Sequence, residues 1–183
     1  MTEYTREIKN DMEEAARSGK WSRIHPLLQQ HGPELATVAL SSKVGLTVLH
    51  YIAIYAPDVP TSTESIRNLC AIKAVNIDTR ASHGYTPLHL ASWNGKVHQV
   101  RTLLRCEAIA YVYNNDGDSP MSECCGYGIK TNKPIILSLL KNPPRTYIQE
   151  LIDKRNILAM ILNKRISIGT KQDIKQLLIS IGY

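Results

Sequence analysis

The sequence predicts an all-α fold in which short two-helix units stack into a solenoid. Three pairs of landmarks recur at one interval, since 117 − 84, 119 − 86 and 120 − 87 all give 33. The pairs are Gly84 and Gly117, Thr86 and Ser119, and Pro87 and Pro120. A self-similar period of roughly 20 to 50 residues is typical of repeat architectures. A pair of short helices cannot bury both of its apolar faces alone, so each unit must pack on the next one.

The repeat is clearest in the third unit, predicted over residues 79–111. Gly84 suits a turn with positive φ, Thr86 can cap a helix, and Pro87 fits the first helical turn. Gly95 is expected to end this first helix. The apolar stripe of a second helix follows at Val100, Leu103 and Leu104. These signals predict two helices joined by a tight turn.

The first segment repeats the third unit at one constant offset, since 91 − 15 and 95 − 19 both give 76. The positions that match Ala91, Gly95, Val100 and Leu103 are Ala15, Gly19, Ile24 and Leu27. The preceding residues are largely charged, which suits the solvent-facing end of a solenoid. We therefore predict an N-terminal capping unit over residues 1–39.

The second unit, predicted over residues 40–78, opens with Gly45-Leu46-Thr47-Val48-Leu49-His50. About five extra residues separate its two helices. They include Pro57, Asp58 and Pro60, which favour an ordered detour over a longer helix. We expect the second helix of this unit to begin at Ser62 or Thr63.

Two further units are predicted over residues 112–145 and 146–183. The fourth is degenerate, because Cys124 stands at the Ala91 position and three residues are added before its second helix. The fifth restores the spacing, because Gly169 follows Gly95 by the same distance in sequence as Leu177 follows Leu103. We interpret it as a C-terminal cap, which completes an array of about five units in one domain.

The string Thr86-Pro87-Leu88-His89-x-Ala91, with landmarks that recur at the interval given above, resembles the signature of the ankyrin-repeat family. The resemblance covers nearly all of the chain, most strongly residues 84–125. It implies a non-catalytic module that binds another protein through a concave face, as an adaptor or an inhibitor. Family resemblance specifies this mode of binding and leaves the partner open.

The same resemblance places partner contacts on the loop tips and on the inner helices. Carried over position by position, the expected partner-binding residues are Lys43, Val44, Leu46, Ile54, Tyr55, Ser82, His83, Tyr85, Trp93, Asn94, Asn115, Asp116, Asp118 and Tyr127. An aromatic stripe along the concave face is expected from Tyr55, Tyr85, Trp93 and Tyr127. Tyr and Trp are enriched in interface hot spots. The alternative is that these rings pack on each other between repeats.

The net charge of +6 is concentrated towards the C-terminal end. Residues 141–183 hold eight basic and three acidic side chains, and 8 − 3 gives +5. An alternative function therefore places contacts with nucleic acid, an acidic protein or an anionic membrane on these basic helices. The basic surface would consist of Lys154, Arg155, Lys164 and Arg165. The alternative extends to a secreted bacterial or viral effector that acts on a host cell, although we expect a protein partner rather than nucleic acid.

His50 and His89 raise the question of catalysis or metal binding. Each follows a Thr-x-Leu sequence, in which the imidazole is expected to hold the turn of its own or a neighbouring unit by hydrogen bonds. No paired carboxylates, glycine-rich phosphate loop or metal-ligand spacing accompanies them. A nucleophile at Cys124 or Cys125 with His89 as base is the enzymatic alternative. We predict a protein that is not an enzyme and uses no cofactor or metal.

The cysteines and the apolar runs indicate the compartment. The four cysteines have no metal or redox spacing, so we expect reduced thiols in the cytoplasm or nucleus, or in host cytosol for a secreted effector. The N-terminus is polar, unlike a signal peptide. The longest apolar run, Ile157 to Leu162, is far shorter than the ~20 residues of a membrane span. We expect a monomer without a transmembrane segment.

Overall fold

The computed structural model describes residues 4–41 and 43–124, and in addition Pro134, Ser138, Gln172, Lys175, Gln176 and Ile179. Seven α-helices and no β-strand occur in the two described ranges. The helices are α1 (Arg6–Ser18), α2 (Trp21–His31), α3 (Val48–Tyr55), α4 (Pro60–Cys70), α5 (Pro87–Trp93), α6 (Val97–Arg105) and α7 (Pro120–Ser122). Short 3₁₀ turns occur at Pro33–Ala36 and Ser82–Gly84. The predicted all-α fold is confirmed.

The helices form two layers. In the first-helix layer, which consists of α1, α3, α5 and α7, each helix packs on the next in that order. In the second-helix layer, α2 packs on α4 and α4 packs on α6. Equivalent helices of successive units therefore contact each other, which is the packing of a solenoid.

One apolar core runs through all the described units, from Met12 to Cys124. Its largest fully buried side chains are Met12, Ile24, Leu35, Leu49, Ile52, Ile66, Leu69, Leu88 and Leu103. Ala15, Ala91 and Cys124, which the repeat spacing aligns, are each at most 2% exposed. A small side chain at this position lets neighbouring first helices approach closely, and a buried thiol serves as another small apolar group.

The helix boundaries follow the predicted capping residues. Thr86 Oγ1 accepts a hydrogen bond from the N–H of His89 at 3.5 Å, and Ser119 Oγ accepts one from the N–H of Ser122 at 3.2 Å. Gly19, with a φ of 64°, ends α1 in the left-handed conformation. These caps satisfy backbone groups that would otherwise be left without partners at the ends of short helices.

The extra residues of the second unit contribute to the third. Helix α4 begins at Pro60, so the expected start at Ser62 or Thr63 was wrong. Proline has no N–H and a fixed φ, which suits a first helical turn. The Asp58 carboxylate accepts hydrogen bonds from the N–H groups of His98 at 3.2 Å and Gln99 at 3.1 Å. The detour therefore caps α6 of the next unit.

Gly84 and Gly117 occupy equivalent turns, with φ values of 78° and 82°. Their surroundings differ. A Cβ atom at Gly84 would lie 2.6 Å from Asn115 Oδ1 and 3.1 Å from Asn115 N, whereas one at Gly117 would meet no described atom within 4 Å. Backbone strain is therefore common to both positions, and close packing is specific to Gly84.

Gly84→Ala and Gly117→Ala should separate these two effects. Left-handed strain alone should lower the free energy of unfolding by about 1 to 2 kcal/mol at Gly117. Gly84→Ala should lose at least ~1 kcal/mol more, since Asn115 must move away from the new methyl group. Urea unfolding of both variants measures the difference, and equal losses would contradict the close approach between the two turns.

Candidate functional site

The loop tips of neighbouring units are joined by backbone hydrogen bonds. The N–H of Ser82 donates to the carbonyl of Val44 at 2.9 Å, and the N–H of Asn115 donates to the carbonyl of His83 at 2.8 Å. The Ser82 hydroxyl adds a longer bond of 3.5 Å to the carbonyl of Lys43. All five residues are exposed. The hydrogen bonds between them bring them together in one row along the edge of the stack.

Asn114 shapes the tip of the fourth unit. Its Oδ1 accepts the N–H groups of Asp116 at 3.0 Å and Asp118 at 2.8 Å. Its Nδ2 donates to Glu123 Oε1 at 3.2 Å. Asp116 is exposed and Asp118 is half-buried. Both residues belong to the same loop tip as Asn115, at the edge of the stack.

Tyr85, expected in the aromatic stripe, lies between units three and four. Its hydroxyl lies close enough to the buried Glu123 carboxylate for each group to shift the pKa of the other, and its ring meets the His89 ring edge-on with centroids 5.8 Å apart. Burial raises the pKa of the Glu123 carboxyl, and burial also raises the pKa of Tyr85 to about 12. The half-buried Tyr85 side chain therefore has a packing role here.

Tyr55 and Trp93 are the most exposed aromatic side chains in the first-helix layer. They are 46% and 38% exposed, and each is the last residue of its helix, α3 or α5. Because α3 packs on α5, the two rings are presented at the same end of neighbouring helices. Ile54 and Asn94, their neighbours in the sequence, are half-buried, and the Asn94 side-chain amide donates to the carbonyl of Leu90 at 2.7 Å. Leu46, which follows the turn glycine Gly45, is also half-buried.

Arg17 extends this surface to the first unit. Its guanidinium carbon lies 3.7 Å from the centroid of the Tyr55 ring and 5.3 Å from that of Tyr51. Glu13 Oε1 accepts from Arg17 Nη2 at 2.8 Å, and this hydrogen bond raises the pKa of Arg17. The Tyr51 and Tyr55 rings stack with centroids 5.7 Å apart. We call Glu13, Arg17, Tyr51 and Tyr55 the Arg17 cluster.

The sequence analysis did not predict Arg17 or Tyr51 as site residues, although the repeat alignment could have identified Arg17. The constant offset that aligns Ala15 with Ala91 also aligns Arg17 with Trp93. A first unit that is interpreted as a cap is not expected to use its inner helix for contacts. Tyr51 gave no such signal, because it is 4% exposed and aligns with the apolar Leu90.

The remaining predicted site residues lie outside the described residues. They are Tyr127 of the expected stripe and Lys154, Arg155, Lys164 and Arg165 of the alternative basic surface. Cys125 also lies outside them. The predicted sites at these positions stay predictions.

The two histidines hold the turns of successive units. His50 Nδ1 accepts the N–H of Thr47 at 3.2 Å, and its Nε2 lies 3.1 Å from the carbonyl of Tyr85 in the next unit. His89 repeats this arrangement with the N–H of Thr86 at 3.2 Å and the carbonyl of Asp118 at 3.0 Å. Since Nδ1 accepts, the neutral ring carries its proton on Nε2 and donates it to the carbonyl.

Both imidazoles are fully buried, and burial lowers the pKa of each to about 4. They are therefore neutral at pH 7, and both ring nitrogens already have partners within the fold. Within residues 4–41 and 43–124, no group of three or more His, Cys, Asp or Glu side chains is placed to hold a metal ion. In the part of the chain that the structure describes, no helix is long and apolar enough to cross a membrane.

These features define a helical repeat protein. Its two-helix units are stacked, its first helices are capped and its edge loops are joined in a row. We call the hydrogen bonds by which the buried His50 and His89 join neighbouring units the histidine ties. A profile of ankyrin repeats in three copies matches residues 12–116, which is more than half of the chain. The chain belongs to the ankyrin-repeat family. Ankyrin repeats are protein-interaction modules, and members of the family are typically non-catalytic.

Curated relatives share this region. The chain is 36% identical over 86 residues to ankyrin repeat domain-containing protein 13C-B of Xenopus laevis. The aligned segment covers 46% of this chain and 17% of that protein. It is 35% identical over 79 residues to human ankyrin repeat domain-containing protein 13C, with 43% and 15% covered. It is 31% identical over 106 residues to BTB/POZ domain and ankyrin repeat-containing protein NPR2 of Oryza sativa subsp. japonica, with 56% and 16% covered. The chain thus spans less than a fifth of the length of these relatives.

The histidine ties predict a loss of stability in mild acid. The pKa values of His50 and His89 are about 4 in the folded chain and about 6.5 when unfolded, so unfolding takes up protons between these values. The free energy of unfolding should be fully maintained above pH 6.5 and fall as the pH decreases to about 4. Two sites give a slope of at most ~2.7 kcal/mol per pH unit.

Urea unfolding of wild type and His89→Gln at several pH values between 4 and 7 measures this slope. The variant should lose about half of it, since only one imidazole then titrates. Asp78, Asp118 and Glu123 act in the opposite direction, because burial raises the pKa of each carboxyl. They are unchanged in the variant, so identical slopes for the two proteins would contradict a buried neutral His89.

Proposed function

We propose that this chain is a non-catalytic binding module that contacts a partner protein through the exposed end of its first-helix layer. The observation that carries the proposal is the pair of exposed rings, Tyr55 and Trp93, at the ends of two helices that pack on each other. Aromatic side chains combine a large apolar area with few rotatable bonds, so they contribute strongly to interfaces. The module works by occupying a surface of its partner, as an adaptor or an inhibitor.

The Arg17 cluster supports this surface. The Arg17 guanidinium lies over the face of Tyr55, and such a cation–π contact restricts the ring to one orientation. The Tyr51 ring stacks on Tyr55 from within the layer and is itself buried. A side chain that is already ordered loses less conformational entropy on binding, so Tyr55 is suited to act as an anchor.

The loop tips supply a second, polar part of the proposed surface. Lys43, His83, Asn115 and Asp116 project from a row whose backbone is fixed by hydrogen bonds between units. Polar groups at the rim of an interface contribute more to specificity than to affinity. The tips therefore select among partners that the aromatic anchors could otherwise hold.

We further propose that the protein works as a monomer in the cytoplasm or nucleus, or in host cytosol if it is secreted. Cys70 and Cys106 are free thiols, which suits a reducing compartment. Binding by a single rigid array needs no second copy of the chain.

Tyr55→Ala with Trp93→Ala should reduce the capture of partner proteins from a lysate at least about tenfold, because interface anchors commonly contribute about 2 kcal/mol or more each. Quantitative mass spectrometry of proteins bound to immobilised wild type and variant measures the loss. The matched control is Ile109→Ala, which removes apolar area from a side chain that is 55% exposed in the loop after α6.

The control should retain every partner that wild type captures. Circular dichroism and thermal unfolding establish that each variant is folded, since surface substitutions of this kind change stability by only about 0.5 kcal/mol. Undiminished capture by the folded double variant would rule out this end of the first-helix layer as the contact surface.

A further inference from the structure

Two cysteines of neighbouring units meet in the second-helix layer. Cys70 is the last residue of α4, and Cys106 directly follows the last residue of α6. Helices α4 and α6 pack on each other, so their carboxyl ends lie side by side. Both cysteines are free and half-buried.

The Cys106 side chain lies close enough to the Cys70 thiol to raise its pKa. A disulfide requires an S–S separation of about 2.05 Å, and the packing of α4 on α6 brings the helix ends that carry the two sulfurs together. The pair spans 106 − 70 = 36 positions of the chain. It therefore joins two units that are otherwise held together by non-covalent packing.

The surroundings give the two thiols different reactivity. Burial raises the pKa of the Cys70 thiol to about 12. The neighbouring Cys106 side chain and, to a smaller extent, the Asp78 carboxylate act in the same direction. Asp78 is held in place, since its Oδ1 accepts the N–H of Ile109 at 2.9 Å. Cys70 therefore stays protonated at neutral pH. Oxidants attack the thiolate form of a cysteine, so the first oxidation step falls to Cys106 rather than to Cys70.

We propose that Cys70 and Cys106 are a modification site at which a hydroperoxide forms a disulfide between the second helices of units two and three. This site is independent of the proposed partner surface, which lies in the first-helix layer.

The chemistry requires one peroxide for each pair. The Cys106 thiolate attacks one peroxide oxygen, the O–O bond breaks, and Cys106 becomes a sulfenic acid while hydroxide leaves. Cys70 sulfur then attacks the sulfenic sulfur, the S–O bond breaks, and its proton leaves with the oxygen as water. Two thiols lose two electrons and two protons in total, and the peroxide is reduced to two waters.

The disulfide would connect the units covalently at the carboxyl ends of α4 and α6. In a reducing compartment a disulfide of this kind is transient, so it would report oxidant exposure. While it lasts, it would restrict opening between units two and three, because a cross-link removes conformations from the opened chain.

The test uses the full chain with Cys124→Ala and Cys125→Ala, which leaves only this pair of thiols. Alanine suits position 124, where the aligned residue of the third unit is Ala91. Treatment with one equivalent of hydrogen peroxide should remove both free thiols and two hydrogens of mass. Peptide mapping without reductant should recover a peptide pair joined through Cys70 and Cys106, and dithiothreitol should reverse the change.

Two controls make the outcome depend on the fold. With Cys70→Ser added, no link within the chain can form, and Cys106 should accumulate as sulfenic or sulfinic acid. In concentrated guanidinium chloride, cross-linking within the chain should slow at least about tenfold, since the unfolded chain seldom brings the two sulfurs together. Oxidised Cys106 without a link to Cys70, links only between chains, or equal rates for folded and unfolded protein would each overturn the proposal.

Discussion

The stack depends on one buried hydrogen-bond arrangement that is used twice. In each case an imidazole accepts from the backbone of its own turn and donates to a carbonyl at the base of the next unit's loop. A buried polar group without partners is costly, so the histidine is tolerated only when both units are in place. His50 therefore joins the second unit to the third, and His89 joins the third to the fourth. The backbone hydrogen bonds between the loop tips connect the same pairs of units.

The tie also separates residues that build the stack from residues that are left for contacts. Histidine, threonine and the turn glycine use their hydrogen bonds and conformations within the array, and in the third unit all three are buried. The last residues of the first helices are not needed for stacking, so Tyr55 and Trp93 can be large and exposed. Tyr85 is an exception to this separation. It lies next to the turn, but it packs against the buried Glu123 of the next unit and is not left free for contacts.

The sequence predicted the repeats well where local chemistry decides the structure. Thr86, Pro87 and Gly95 act through their own backbone geometry. The short sequence motif around them and its recurrence at a constant interval were therefore enough to place α5 and to identify the fold. The start of α4 was predicted wrongly, since Pro60 is equally compatible with a loop and with a first helical turn. The candidate site was less predictable. Contacts such as Arg17 over Tyr55 join residues far apart in the sequence, and which side chains meet depends on the packing of α1 on α3.

The irregular features of the array lie at its joints. The extra residues of the second unit supply Asp58 to cap α6. Glu123 of the fourth unit, which accepts a hydrogen bond from Asn114, interacts with Tyr85 of the third. In both cases a side chain of one unit interacts with polar groups of the neighbouring unit. In an array of identical repeats, the same contact would recur between every pair of units. Beside the histidine arrangement that they share, these two joints of the chain each have further contacts of their own. A change at one joint, such as a charge or a covalent bond, can therefore act on that pair of units without altering the others.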